Sequence, residues 1–130
     1  MWKSNIRERE TGNLNMNFLK KKFENIENIF TNKIDDAVAK RVVKFYDIKP
    51  FPNYHHNENK ASILNKGDKN YLAKNFKQFA GYNKRILEVG CGTGQLSIYF
   101  SIGTNNEIVA LGPTLASLKL ASKFTTDNNI

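Results

Sequence analysis

The sequence predicts an α/β protein in which N-terminal helices lead into a β-α-β-α unit of parallel sheet. Three observations carry that expectation. Apolar residues recur at helical steps through the first third of the chain, two prolines then break the pattern, and beyond Asn83 short apolar strands alternate with helices. With 130 residues, 40% of them hydrophobic and 25% charged, the chain has the size and composition of one small globular domain.

Residues 1–16 are polar and lack a sustained period, so a flexible lead-in is expected there. Residues 17–83 read as a helical region containing a Pro-aromatic loop. From Phe18 onward an apolar stripe of Phe23, Ile26, Phe30, Ala37, Val38, Val42 and Phe45 follows three- and four-residue steps. Asn32, with Asp35 three residues on, offers a cap that would divide the stripe into two helices. Core packing is the favoured role of the stripe, over a groove for a partner. Pro50 and Pro52 then impose an extended segment, since proline lacks an N–H and biases the residue before it away from helix. Its aromatics Phe45, Tyr46, Phe51 and Tyr54 either line a pocket or pin the loop to the core, and pinning is favoured. His55-His56 has no spaced partner set, so no metal site is expected. A helix from Asp68 would put Leu72, Phe76 and Phe79 on one face and stop at Gly81.

Residues 84–130 alternate element types. Arg85–Val89 reads as a strand, Gly90–Gly94 as a tight turn, and Gln95–Phe100 as a short helix. A second turn at Thr104-Asn105-Asn106 precedes the strand Glu107–Leu111, and a helix runs from Leu115 to about Thr125. Parallel strands are normally covered on both faces, so Ile86, Leu87, Val89, Ile108, Val109, Leu111 and Leu118 are expected in the core.

Composition excludes several classes. No stretch approaches the roughly 18–20 apolar residues of a membrane span, and the first residues lack the apolar core of a secretory signal. The single cysteine, Cys91, excludes a disulfide framework and a multi-cysteine zinc site, and a cytoplasmic location is expected. The net charge of +8 lies wholly in the N-terminal part: residues 1–85 hold 18 basic and 9 acidic side chains, residues 86–130 only 2 and 3. Such a balance suits a nucleic-acid or anionic-lipid partner. Drift toward Lys, Asn, Ile and Phe is the favoured explanation, because only four of the basic residues are arginine, the better phosphate fork.

The chemistry concentrates at Ile86-Leu87-Glu88-Val89-Gly90-Cys91-Gly92-Thr93-Gly94. A strand delivers the chain to glycines in alternate positions, and a helix begins immediately after. Missing side chains let the backbone turn sharply and approach a ligand, while the helix start offers unpaired N–H groups. The dinucleotide fingerprint needs a small residue where Gln95 stands, and the Lys-Ser/Thr of a phosphate loop is absent.

In these residues the chain resembles the class I S-adenosylmethionine-dependent methyltransferases of bacteria. Glu88, Gly90, Gly92 and Gly94 match the family's first motif, an apolar strand with an acidic residue followed by G-x-G-x-G. The run Ile108 to Ala121 is similar to the family's second strand and following helix, and Phe51-Pro52-Asn53-Tyr54 to a segment that precedes the first motif. The resemblance covers about residues 43–130. It implies N-terminal helices followed by the first β-α-β-α unit of a Rossmann-like sheet, with residues 84–130 an incomplete S-adenosylmethionine-binding domain of a truncated chain. It further implies that Gly90, Gly92 and Gly94 contact the methionine and ribose parts of the cofactor, and that Glu88 orients the turn near its amino end. Cys91 and Thr93 complete the turn, Cys91 as a tolerated small residue rather than a nucleophile. Gly112 stands where the family usually carries the carboxylate that binds the ribose hydroxyls, and Gly112→Asp is expected to tighten binding about ten- to a hundredfold once the sheet's missing strands are supplied. The reaction implied is displacement at the sulfonium methyl by an N, O, C or S acceptor, with no base assigned in this chain. Two other readings stand beside it: a non-catalytic truncated protein that binds a partner through an exposed sheet edge, which would also permit self-association, and a basic nucleic-acid-binding module using residues 1–85. The Pro-aromatic segment is expected to fold back on the glycine turn and shield it from water.

Overall fold

The computed structural model describes residues 22–130; the expected lead-in at 1–16 and the start of the stripe at Phe18 lie outside them. The described chain is mixed α/β. Its elements are β1 (Glu24–Ile26), β2 (Ile29–Thr31), α1 (Ala37–Ile48), α2 (Lys60–Lys69), α3 (Tyr71–Ala80), β3 (Arg85–Val89), α4 (Gln95–Ser101), β4 (Glu107–Leu111) and α5 (Leu115–Asp127).

The first correction falls at residues 24–31, where the helical stripe is interrupted by an antiparallel hairpin pairing Glu24 with Thr31 and Ile26 with Ile29. Glu27 and Asn28 take φ of +51° and +66°. Two central residues with positive φ form the hairpin turn whose twist matches its strands. The spacing of Ile26, Ile29 and Phe30 suits a helix face equally well, so periodicity alone misassigns it. The helix begins only at Ala37, where Asp36 rather than Asn32 caps it by accepting a 2.7 Å hydrogen bond from the Ala39 N–H. The expected core stripe on α1 is also corrected: Val38, Val42 and Phe45 are exposed, and the half-buried positions are Ala39 and Val43.

Where one helix from Asp68 is expected, two occur. Asn59 and Ser62 form a reciprocal capping box that starts α2. Asn70 ends α2 and caps α3 through the Ala73 N–H. Gly81, at φ +69°, stops α3 as the sequence predicts. Gly67 lets α2 lie directly on α4, because a Cβ there would fall 2.2 Å from the Tyr99 ring. The Tyr99 hydroxyl donates to Asp68 at 2.8 Å. Lys77 of α3 donates to the carbonyls of Tyr99 and Ile102 at the end of α4, satisfying groups that a helix terminus leaves open.

Strands β3 and β4 pair in parallel, from Arg85 beside Glu107 to Val89 beside Leu111, with the bounds the sequence predicts. Ile86, Ile108 and Ala110 face α4 and α5, and the main cluster joins Ile63, Ile98, Phe100, Ile108 and Phe124. Leu87 and Val89 are not core residues: they are 61% and 75% exposed on the opposite face. A strand's side chains alternate between faces, so covering one face leaves every second residue bare. No helix among the described residues is long and apolar enough to cross a membrane.

Candidate functional site at the glycine turn

At the carboxyl end of β3 the chain enters the left-handed region at Gly90 (φ +83°), returns to it at Gly92, and enters α4 through Gly94 (φ +77°). The N–H groups of Gly90 and Cys91 both donate to the Leu111 carbonyl, at 2.8 and 2.9 Å, which clamps the turn to the end of β4 and brings Gly112 alongside. A Cβ at Gly90 would meet nothing within 4 Å, whereas one at Gly94 would fall 2.9 Å from the Ala121 Cβ. Gly94 thus serves the packing of α4 on α5. The space in front of Gly90 is open to a ligand.

The Glu88 side chain turns back toward the helices and accepts a hydrogen bond from the Ser97 hydroxyl, in the first turn of α4. Ser97 is itself buried, so the carboxylate is held at a defined place beside the turn. Cys91 is buried, and burial, then the neighbouring Glu88 carboxylate, pushes its thiol up to about 11. It is a protonated, packed side chain at neutral pH. Thr93 is fully buried and donates to the Pro52 carbonyl at 2.6 Å, so its hydroxyl serves the loop rather than a ligand.

The Pro-aromatic segment does lie against the turn. The Tyr54 hydroxyl donates to the Thr93 carbonyl at 2.7 Å, and the Phe51 carbonyl stands 3.2 Å from where a Cβ on Gly92 would be. The Tyr54 ring stacks on Phe124 with centroids 4.4 Å apart, and its burial raises the hydroxyl well above the ordinary phenol range. Tyr54 is therefore a pin, while the Phe51 ring remains exposed beside the turn. Phe45 and Tyr46 pack edge to face on one another without being buried.

Gly112 is half-buried, and a Cβ there would lie 3.3 Å from the Cys91 Sγ and 3.5 Å from Leu118. Beside it opens a cavity of about 720 Å³ between the hairpin, α1 and α5, with apolar walls from Phe30, Val43, Leu111, Leu115 and Leu118. Such a volume suits a nucleoside-sized ligand. Sequence reasoning missed the cavity and two of the groups around the site. Ser97 carried a signal, a hydroxyl three residues into the helix that follows the turn. Asp47 of α1, which reaches this cavity, carried none. Among the described residues no three His, Cys, Asp or Glu side chains gather as a metal centre.

Compared with known proteins, the chain matches no family model, no curated protein and no solved structure.

Proposed function

We propose that residues 84–130 form a Rossmann-like S-adenosylmethionine-binding unit and that the chain serves methyl transfer. The observation that carries this reading is the glycine turn: it leaves a parallel strand, is open at Gly90, and is clamped to the end of the next strand, where a nucleoside-sized cavity opens beside Gly112. When bound, the cofactor supplies a methyl group activated by its sulfonium. The chain's own residues bind and orient it. The backbone at Gly90 and Gly92 approaches the ligand, Gly94 keeps α4 close to α5, and Cys91 and Thr93 hold the turn to its neighbours. Glu88, fixed by Ser97, offers negative charge toward an ammonium group. The loop at Pro52–Tyr54 excludes water from one side of the turn. Alignment of donor and acceptor is the protein's part of such a reaction.

Calorimetric titration with S-adenosylhomocysteine tests the proposal, with NAD and ATP as controls. Saturable one-to-one binding of the first, without comparable binding of the controls, is expected. No binding, or equal binding of NAD, would overturn it.

A further inference from the structure

We propose that Asp47, carried on α1 rather than on the sheet, is the carboxylate that reads the ribose hydroxyls of the bound nucleoside; the inference rests on the methyl-donor reading above. Position 112 has no side chain, and its small space is already crowded by Cys91. The cavity beside it nevertheless contains a carboxylate, because α1 packs along α5 and presents Asp47 there together with Gly112, Pro113 and Leu115. The Asp47 Oδ1 lies 3.4 Å from the Ala116 N–H in the first turn of α5. That contact is long for a hydrogen bond, so it locates the group without saturating it.

The chemistry singles out this residue. Two neighbouring ribose hydroxyls present two O–H donors, and an ionised carboxylate has two acceptor oxygens and no donor to compete. The other charged residues lining the cavity are Lys40 and Lys44, which can only donate. Asp47 is therefore the one carboxylate among the lining residues able to accept from both hydroxyls. Leu115 and Leu118 provide the apolar surface on which a base can rest.

The test compares S-adenosylhomocysteine with its 2′-deoxy counterpart by calorimetry on the whole chain and on Asp47→Ala and Asp47→Asn. The parent is expected to prefer the ribose form about tenfold or more. Asp47→Ala should bind both forms equally, at the affinity of the deoxy compound, while Asp47→Asn, which keeps an acceptor toward Ala116, should show a reduced preference. Because the readout is a ratio of two ligands on the same protein, a general loss of packing does not imitate it. A parent that binds, with a preference unchanged in Asp47→Ala, overturns the role of Asp47 alone. A parent that binds neither compound overturns the methyl-donor reading, and this inference with it.

Discussion

A side chain at position 94 would meet two obstacles at once, a φ of +77° and the Ala121 Cβ at 2.9 Å. Gly94→Ala is therefore expected to cost roughly 2–4 kcal/mol in urea unfolding, the sum of a left-handed alanine and an overpacked helix contact. A loss below about 0.5 kcal/mol would mean that α4 and α5 separate freely. Cys91 gives a pH-dependent expectation. Its thiol, ordinarily near 9.0, stands at about 11 in the fold, so the folded state holds the proton more tightly than the unfolded chain. The stabilisation is complete below pH 9 and is lost as pH rises through 9 toward 11. Cys91→Ala should remove that slope from a series of melts. The native thiol should also resist a thiol reagent at neutral pH and react promptly in urea. Gly112→Asp, expected from sequence to tighten cofactor binding, must push against the Cys91 Sγ at 3.3 Å. With Asp47 already accepting from both ribose hydroxyls, no gain is expected even when Cys91→Ala relieves that contact; calorimetry on the single and double variants checks it, and tighter binding by the double variant would return the ribose to position 112.

At the scale of elements, short polar residues punctuate the chain. Asn59, Asn70 and Asp36 each accept from a backbone N–H at a helix start, and these bonds set where α2, α3 and α1 begin. Asn59→Ala removes one half of a capping box and should cost about 1 kcal/mol. The loop between α1 and α2 depends on Tyr54. Tyr54→Phe keeps the stack on Phe124 and deletes the bond to the Thr93 carbonyl. A loss of about 0.5–1.5 kcal/mol is expected, with faster proteolysis at residues 51–54; unchanged proteolysis would show that the Thr93 hydroxyl holds the loop unaided. The hairpin at 24–31 was illegible because its apolar spacing is shared with a helix. Only the positive φ of Glu27 and Asn28 separates the two.

At the scale of the whole fold, and among the described residues, α4 and α5 pack on one face of the parallel pair, while Leu87 and Val89 on the other are exposed. Leu72 and Phe79 of α3 are likewise 76% and 87% exposed, although the sequence places them on a regular apolar face. Exposed apolar surface beside an open strand edge promotes association. Sedimentation is expected to show concentration-dependent self-association, weakened by Val89→Lys, which adds a charge on the bare face. A parent that stays monomeric at high concentration would show that this face is inert.

The sequence by itself determined the bounds of β3 and β4, the turn between β3 and α4, and the stop at Gly81. Each of these is dictated by neighbours in the chain: alternation of β-branched and apolar residues, glycines that alone enter left-handed backbone cheaply, and caps within three residues. Of the candidate site, the glycine turn and Glu88 were legible for the same reason. Tertiary structure alone decided which face of an apolar element is buried, since periodicity shows that a face exists and not what covers it. It also decided that Ser97 holds Glu88, that Tyr54 locks the turn from 39 residues away, and that Asp47 reaches the cavity beside Gly112. These are contacts between residues far apart in the chain, and packing, not local propensity, brings them together.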